Sequence, residues 1–545
     1  MPIGPANWRV RAAPRDDRRN RISQLTGRFD RLRRPPWPAA YLCAVQRRRA
    51  ERDPIIARHQ ADTLFRNVEL VDGTGEAGFQ GDLAVRGDRI AAIGALSSWY
   101  GIREIDGTGL TLSPGFIDAH THDDRAVVGE PADMLCKVSQ GVTTVIVGNC
   151  GVSLAPLVCT ERPMAPLDLL GDAQWWTHAS FASYADRLTS APPPVNVLAF
   201  VGHMSLRAAV MGRDAVQPAS ESEVARMRDL LARSLAEGAA GFSTGLAYPA
   251  SRQATTEEVI AIGQPLAAAN GLYVTHLRDE GGKVVESIEE ALAIGRAIGC
   301  PVVVSHLKCT LHENFGRSVE TLACIDAAVD RQPVDFDVYP YAASSTALLV
   351  ELLRDDLPVQ VTWSLAEPAM AGRMLADIAR EWGVDQRIAA GRLLPAGAVY
   401  YSMDEQDVRR ILAHPRSMIG SDGLPHDVRP HPRLWGTFPR VLGHYARDAG
   451  LFTLEAAVAK MTGLPAQVFG LVDRGVLRVG AFADLALFDR ARIIDRATFA
   501  DPIRKADGVV EVWVNGHSTY AGEQDGVHAS AGRLLRRDRD QASRA

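Results

Sequence analysis

The sequence predicts an α/β fold: a (β/α)8 TIM-like barrel carried within a small β-rich element that both ends of the chain build. Two observations predict it. From Phe116 onward, eight apolar, strand-like runs alternate with stretches rich in Ala, Leu, Glu and Arg, the pattern of βα units around a parallel sheet, and eight such units close a barrel. On either side of this region the texture changes to short β-type runs broken by Gly and Asp turns. With 545 residues, 46% hydrophobic and 23% charged, the chain has ample apolar material for a core of that size.

Taken in order, residues 1–60 hold 15 Arg, no Lys and 5 acidic residues, a local balance of +10 that leaves −15 for the rest of a chain of net −5. Such an arm could bind nucleic acid. The Pro-rich cluster Arg33-Arg-Pro-Pro-Trp-Pro38 favours a disordered extension, or a start assigned too far upstream, and no nucleic-acid partner is expected. Residues 61–113 read as a small antiparallel sheet, with strands at Leu64–Val71 and Asp82–Ile90. Residues 114–470 hold the barrel. Its eight runs are 115–120, 143–150, 196–203, 240–245, 273–276, 302–306, 335–339 and 418–422, with helices expected at 221–237, 256–270, 284–298 and 319–331. The longest gap, about 340–417, reads as an insertion over the barrel mouth with a helix near 370–381. β texture returns at 475–480, 483–488 and 509–514, so residues 471–520 complete the first sheet, and 521–545 read as a solvated polar tail.

No run of about 18 apolar residues occurs, so no membrane span is expected. The basic N-terminus is followed by no apolar signal core, and seven scattered cysteines without paired spacing fit free thiols in a reducing compartment. A cytoplasmic location is expected.

The chemistry sits where the runs end. In a parallel barrel, functional side chains cluster at the carboxyl ends of the strands. The segment Phe116-Ile-Asp-Ala-His-Thr-His122 places His120 and His122 on one face of a strand end, and later runs finish in Cys150, His203, His276, His306, Tyr339 and Asp422. Imidazole, thiolate and carboxylate are zinc ligand types, and an open coordination position suits a hydrolase. His203, after Phe-Val-Gly, reads better as a core histidine than a ligand. Two motifs fail on context. Gly241-Phe-Ser-Thr-Gly245 has the G-x-S-x-G form but runs into a loop where a nucleophile needs a sharp turn into a helix. Gly73-Thr-Gly-Glu-Ala-Gly78 has the G-x-G-x-x-G form but leads to another strand, which offers a pyrophosphate no helix N-terminus.

With these elements in place, the chain resembles the amidohydrolase superfamily and, within it, the D-aminoacylases or N-acyl-D-amino-acid deacylases. The likeness, from about 62 to 520, is carried by Ser113-Pro-Gly-Phe-Ile-Asp-Ala-His-Thr-His122, Gly148-Asn-Cys-Gly-Val-Ser153, Ser243-Thr-Gly-Leu-Ala-Tyr248, Thr275-His-Leu-Arg278, Ser305-His-Leu-Lys308, Gly420-Ser-Asp-Gly423 and His431-Pro-Arg433. It implies a (β/α)8 barrel with a small β-sandwich formed from both ends. It implies that Cys150 stands where many amidohydrolases bridge two metals with a carboxylated lysine. By resemblance, Cys150, His276 and His306 hold one zinc ion tightly, while His120, His122 and Asp422 face a second, weaker or empty position. Lys308 and Arg433 match substrate-binding positions, with Tyr248 and Tyr339 as hydrogen-bond donors and Ser345 as a further member. Asp422 is the expected general base. The implied activity is zinc-dependent hydrolysis of N-acyl-D-amino acids, small-molecule substrates. The alternatives are an enzyme of cyclic amides of the hydantoinase or dihydroorotase kind, which normally needs the bridging lysine, and a non-catalytic scaffold of the same fold.

Overall fold

The computed structural model describes residues 59–524 and 526–538. The Arg-rich arm lies outside them. Eight parallel strands run around the barrel in chain order: Phe116–Asp118, Val142–Val147, Asn196–Ala199 continued by Val201–Gly202, Gly241–Gly245, Leu272–His276, Val302–Val304, Val334–Val338 and Ser417–Ile419. The third strand bends at Phe200, pairing with the second before the bend and the fourth after it. The ring closes between the first and eighth strands, where Ala119 N donates to Ile419 O at 3.1 Å and Thr121 bridges Gly423. Strands buried on both faces need β-branched and aliphatic residues throughout, as in Val142-Thr-Thr-Val-Ile-Val147. One set of side chains, including Ile117, Ile146, Leu198, Leu272, Val303 and Met418, fills the barrel interior. The alternate set, including Val145, Tyr273, Val304 and Phe336, packs under the surrounding helices.

The helices Glu221–Glu237 and Val284–Ile298 match the expected spans. The first opens on a capping box of Ser220 and Glu223 and ends at left-handed Gly238. The expected 256–270 helix is two pieces, Thr256–Gly263 and Pro265–Ala269, because the proline at 265 lacks the N–H that would continue the ladder.

Three expectations are corrected. The insertion ends near residue 401 and not 417, since the helix Glu405–Ala413 packs on the helix Ser318–Val329 and on the seventh and eighth strands as a barrel helix. What remains is a three-stranded antiparallel sheet, Ser344–Ala347, Val359–Ser364 and Ala396–Tyr400, with the helices Leu375–Trp382 and Gln386–Leu393. This unit has its own core of Leu348, Val361, Leu375, Ile378, Ala398 and Tyr400. Residues 475–480 form turns and no strand; Gly475 and Gly480 both take positive φ there. The C-terminal segment is not a solvated tail up to residue 538. Val197 N donates to Arg533 O at 2.9 Å, Leu535 N to Val197 O at 2.7 Å, and Leu535 packs beside Phe469 and Leu471 at one end of the barrel core. Its sequence is rich in arginine, which hid this: Arg537 satisfies the carbonyls of Asn270 and Val468 while its stem lies along the protein.

Apart from the short pair Leu157–Val158 and Thr177–His178, the remaining strands form one eight-stranded sheet drawn from both ends of the chain, mixed and not antiparallel as expected, since His59–Leu70 pairs parallel with Trp99–Asp106 and Thr111–Pro114. Thr111–Pro114 pairs antiparallel with Leu485–Phe488, joining the early strands to the late ones. A bulge between Phe65 and Val68 bends the long strand His59–Leu70, and Phe65, Leu83, Ile90, Leu485, Leu487 and Trp513 close on a common core, giving the small β-sandwich. It is locked to the barrel by a buried polar node. Asp484 pairs with Arg474 and accepts from Asn515 N at 2.8 Å, and Asn515 donates to Asn196 of the third barrel strand at 2.8 Å. Among the described residues no helix is long and apolar enough to cross a membrane.

Candidate metal centre

All six expected ligands converge at the carboxyl ends of the strands. Their donor atoms fall into three groups, each within 4.8 Å: His120, His122 and Cys150; Cys150, His276 and His306; and His120, His306 and Asp422. Cys150 belongs to the first two groups. Its Sγ lies 3.3 Å from His120 Nε2 and 3.3 Å from His306 Nε2, while His276 Nδ1 lies 2.9 Å from His306 Nε2. Asp422 Oδ1 is 3.4 Å from His122 Nε2 and 3.6 Å from His120 Nε2. Every member is buried.

The backbone aims these groups at some cost. Among the described residues eight non-glycine positions have positive φ, and Cys150, His306 and Asp422 are three of them, at 53°, 37° and 48°. Each lies just past the last paired residue of its strand, where a left-handed turn redirects the side chain over the barrel mouth. The Gly148-Asn-Cys-Gly151 motif is the local solution at the second strand. A Cβ on Gly148, which has φ 80°, would come within 2.3 Å of Phe200 O, so only glycine lets the turn pass under the third strand.

The donor set fits zinc: one thiolate and two imidazoles, buried, with further imidazoles and a carboxylate in reach. Burial alone would raise the Cys150 thiol, but His120 and His306 overcome this and hold it well below the ordinary thiol range. Asp422 is likewise held well below the usual carboxylate range: burial opposes ionisation, and Arg433, with Nη1 2.9 Å from Oδ2, outweighs it. His122, lowered by burial but raised by Asp422 and Cys150, is pushed up to about 9.

The expected substrate-binding side chains surround this cluster. Lys308 donates to Glu280 at 2.5 Å. Arg433 lies 4.6 Å from the centre of the Tyr339 ring and donates through Nη2 to Ser345 O at 2.9 Å. Its Nε and Ser345 Oγ are buried and have no hydrogen-bond partner among the described residues. The Tyr248 ring lies tilted against His276, 4.9 Å between ring centres, and its hydroxyl is 3.2 Å from Thr346 Oγ1. A cavity of about 740 Å³ opens over Tyr248, His276, His306, Lys308, Ser345 and Asp422, with Leu349, Leu352, Leu357 and Tyr400 from the insertion as its apolar wall. A second, tight pocket with about 10 Å³ of free space adjoins it at Tyr248, Ser345 and Asp422 and is closed by His122, Cys150, Val152, Pro166, Leu169 and Leu424. His203 stays out of the cluster: it starts a helix and pairs with Glu258 at 3.1 Å, a buried structural contact.

The profile of the amidohydrolase family matches residues 103–322 and 361–520. A D-aminoacylase of Alcaligenes xylosoxydans xylosoxydans is 51% identical over 476 residues, 87% of this chain and 98% of that protein.

This chain is a member of the D-aminoacylase family of amidohydrolases.

Solved structures of family members agree. A D-aminoacylase examined for its binuclear metal centre, with one metal activating and the second attenuating, matches with a TM-score of 0.85 and 49% identity, over 88% of this chain and all of that one. The N-acyl-D-glutamate deacylase of Bordetella bronchiseptica, in complex with zinc and a phosphonate that mimics the tetrahedral intermediate, matches with a TM-score of 0.84 and 45% identity over the same shares. Within this family fold, two site residues have no counterpart in the sequence reading. Asp337 receives His306 N at 2.8 Å and lies 3.3 Å from His120 Nδ1, and Glu280 lies 3.1 Å from His306 Nδ1. Asp337 orients His120 by facing the ring nitrogen remote from the cluster, whereas His306 Nδ1 is held between Glu280 and the Lys308 ammonium, which donates to it at 2.6 Å. Asp337 was signalled by position, two residues before Tyr339 in the seventh run; Glu280, in a loop four residues after His276, carried no such mark.

Proposed function

We propose that this enzyme hydrolyses the amide bond of N-acyl-D-amino acids, releasing a carboxylate and a D-amino acid, with zinc held at Cys150, His276 and His306. The observation that carries the reading is the buried thiolate and imidazole cluster set beside an ionised aspartate whose partner is an arginine. Preference for the D-configuration rests on the family membership. His120, His122 and Asp422, with the shared Cys150 sulfur in reach, would face a second, weaker metal.

Zinc bound there would polarise the amide carbonyl and lower the pKa of an attacking water. The protein's own groups complete the chemistry. Asp422 is ionised at neutral pH and reaches the cluster through Oδ1, so it can accept the water proton and return it to the leaving nitrogen. Tyr248, at the rim of both cavities, can donate to the carbonyl oxygen as charge develops. The free donors Arg433 Nε and Ser345 Oγ, with Lys308 and Tyr339, suit the α-carboxylate of an amino acid.

These positions also orient the substrate. Lys308 lines the large cavity alone and Ser345 lines both, so the carboxylate anchors lie where the two meet, with the amino-acid side chain directed into the roomier cavity and the acyl arm into the tight pocket. A short acyl group such as acetyl follows. Neither rival reading gains an observation: the bridging position carries Cys150 Sγ, which disfavours cyclic amides, and the six intact ligands disfavour a scaffold. Among the described residues, six cysteines without disulfide partners suit the reducing cytoplasm.

A panel of N-acetyl-D- and N-acetyl-L-amino acids assayed for amine release tests this. Turnover of D-substrates is expected, and a zinc-loaded protein that hydrolyses none of them overturns it.

A further inference from the structure

A lysine buried beneath the metal cluster has no part in the chemistry above. Lys137 lies in the short helix Leu135–Val138 ahead of the second strand, and its side chain is fully buried. An ammonium has three N–H donors, and all three are used here: Asp118 Oδ2 at 2.7 Å, Thr121 Oγ1 at 2.9 Å and Ser421 Oγ at 2.6 Å. Asp123 adds an ion pair at 3.3 Å. Asp118 in turn accepts from Ser421 N at 2.7 Å and from Ser421 Oγ at 2.6 Å.

The partners define what this network fixes. Asp118 ends the first barrel strand, Thr121 stands between His120 and His122, Asp123 follows them, and Ser421 precedes Asp422. The cation therefore cross-links the two strand ends that close the barrel, the same ends that carry the histidine pair and the aspartate. Main-chain bonds run beside it, from Asp422 N to His120 O at 2.7 Å and from His122 N to Gly423 O at 3.1 Å. Gly423 leaves the space: a Cβ there would stand 3.0 Å from Lys137 Nζ. Burying a cation costs free energy unless it is fully paired, and an apolar plug could close a seam as well. A saturated ammonium does something a plug cannot, which is to fix the lateral register of two particular chain segments.

We propose that Lys137 is a positioning residue, which holds His120 and His122 against Asp422 by cross-linking the first and eighth strand ends through Asp118, Thr121 and Ser421. Among the described residues, none of its hydrogen-bond or ion-pair partners is a ligand or a residue assigned to substrate. The effect on turnover rests on the hydrolase reading, whereas the effect on metal binding does not.

The test uses full-length Lys137→Met and Ser421→Ala, the second removing one tie without leaving a charge unpaired. In Lys137→Met the zinc at Cys150, His276 and His306 stays at one per chain, and the thiolate-to-metal band of the cobalt-substituted protein is unchanged. Affinity for a second metal at the histidine pair falls on the order of 10–100-fold, and kcat falls with little change in KM. Ser421→Ala shifts the same quantities in the same direction by a smaller factor. If Lys137→Met fails to fold, Ser421→Ala decides. Wild-type kcat and wild-type second-metal affinity in a folded variant overturn the proposal. A fall in kcat matched by equal loss of the tight zinc also overturns it, because it marks a general structural role. A wild-type enzyme inactive on every N-acyl-D-amino acid refutes the hydrolase reading, and the second-metal affinities still judge Lys137.

Discussion

Cys150 has the most constrained surroundings of any side chain in the site: left-handed backbone, flanking glycines that take positive φ, and imidazoles on two sides. Removing its sulfur takes away the donor shared by both ligand groups, so Cys150→Ala loses tight zinc and activity together, checked by metal analysis beside the rate. Asp422→Asn keeps the tight zinc but can no longer take a proton, and kcat falls roughly 10²–10⁴-fold. His122 gives a pH-dependent prediction. Its value of about 9 in the metal-free fold lies above the ordinary 6.5. Its charged form therefore stabilises the metal-free protein fully below about pH 6.5, and that contribution is lost as pH rises through about 9. Proton and metal compete for the ring, so the second metal binds more tightly as pH climbs over the same window. Metal titrations at several pH values between 6 and 10 follow it, and a pH-independent affinity contradicts it. At this scale the sequence was most legible, because each ligand ends an apolar run. Lys137 and Glu280 were not, because a charged residue on a helix or loop reads as a solvated face until the fold buries it, as it does Lys137, or half-buries it against the ligands, as it does Glu280.

At the scale of elements, the eight strands and the helices between them follow from periodicity, since a parallel barrel demands apolar runs of strand length and amphipathic helices. The boundaries that failed are those set by tertiary contact. Nothing local shows that residues 405–413 belong to the barrel and 375–393 to the insertion, and nothing in Arg533-Leu-Leu-Arg-Arg537 shows that it will pair with the third strand. Because Leu535 packs at one end of the barrel core, deleting residues 531–545 costs about 2 kcal/mol and lowers the melting temperature of the zinc-loaded enzyme, measured by thermal scanning. The tight pocket makes a prediction about substrates. Leu169→Ala widens the apolar side of that pocket without touching a ligand. It raises kcat/KM for N-hexanoyl over N-acetyl substrates by roughly 10-fold, while the ranking of amino-acid side chains, set in the large cavity, stays as in the wild type.

For the whole molecule, the chain splits its work between a β-sandwich that both ends build and a barrel whose strand ends carry the chemistry. The two are joined below the third strand by the node of Asn196, Asp484 and Asn515, and the insertion walls the cavity above it. The proposed chemistry is hydrolysis of the D-substrate driven by metal at the Cys150 cluster. It is tested most directly by amine release from matched N-acetyl-D- and N-acetyl-L-amino acids, using protein stripped by a chelator and then reloaded with one equivalent of zinc. Loss of activity on stripping, its return with the single equivalent, and strong preference for the D-form are the predicted result. Full activity in the stripped protein, or equal rates for both enantiomers, would contradict it.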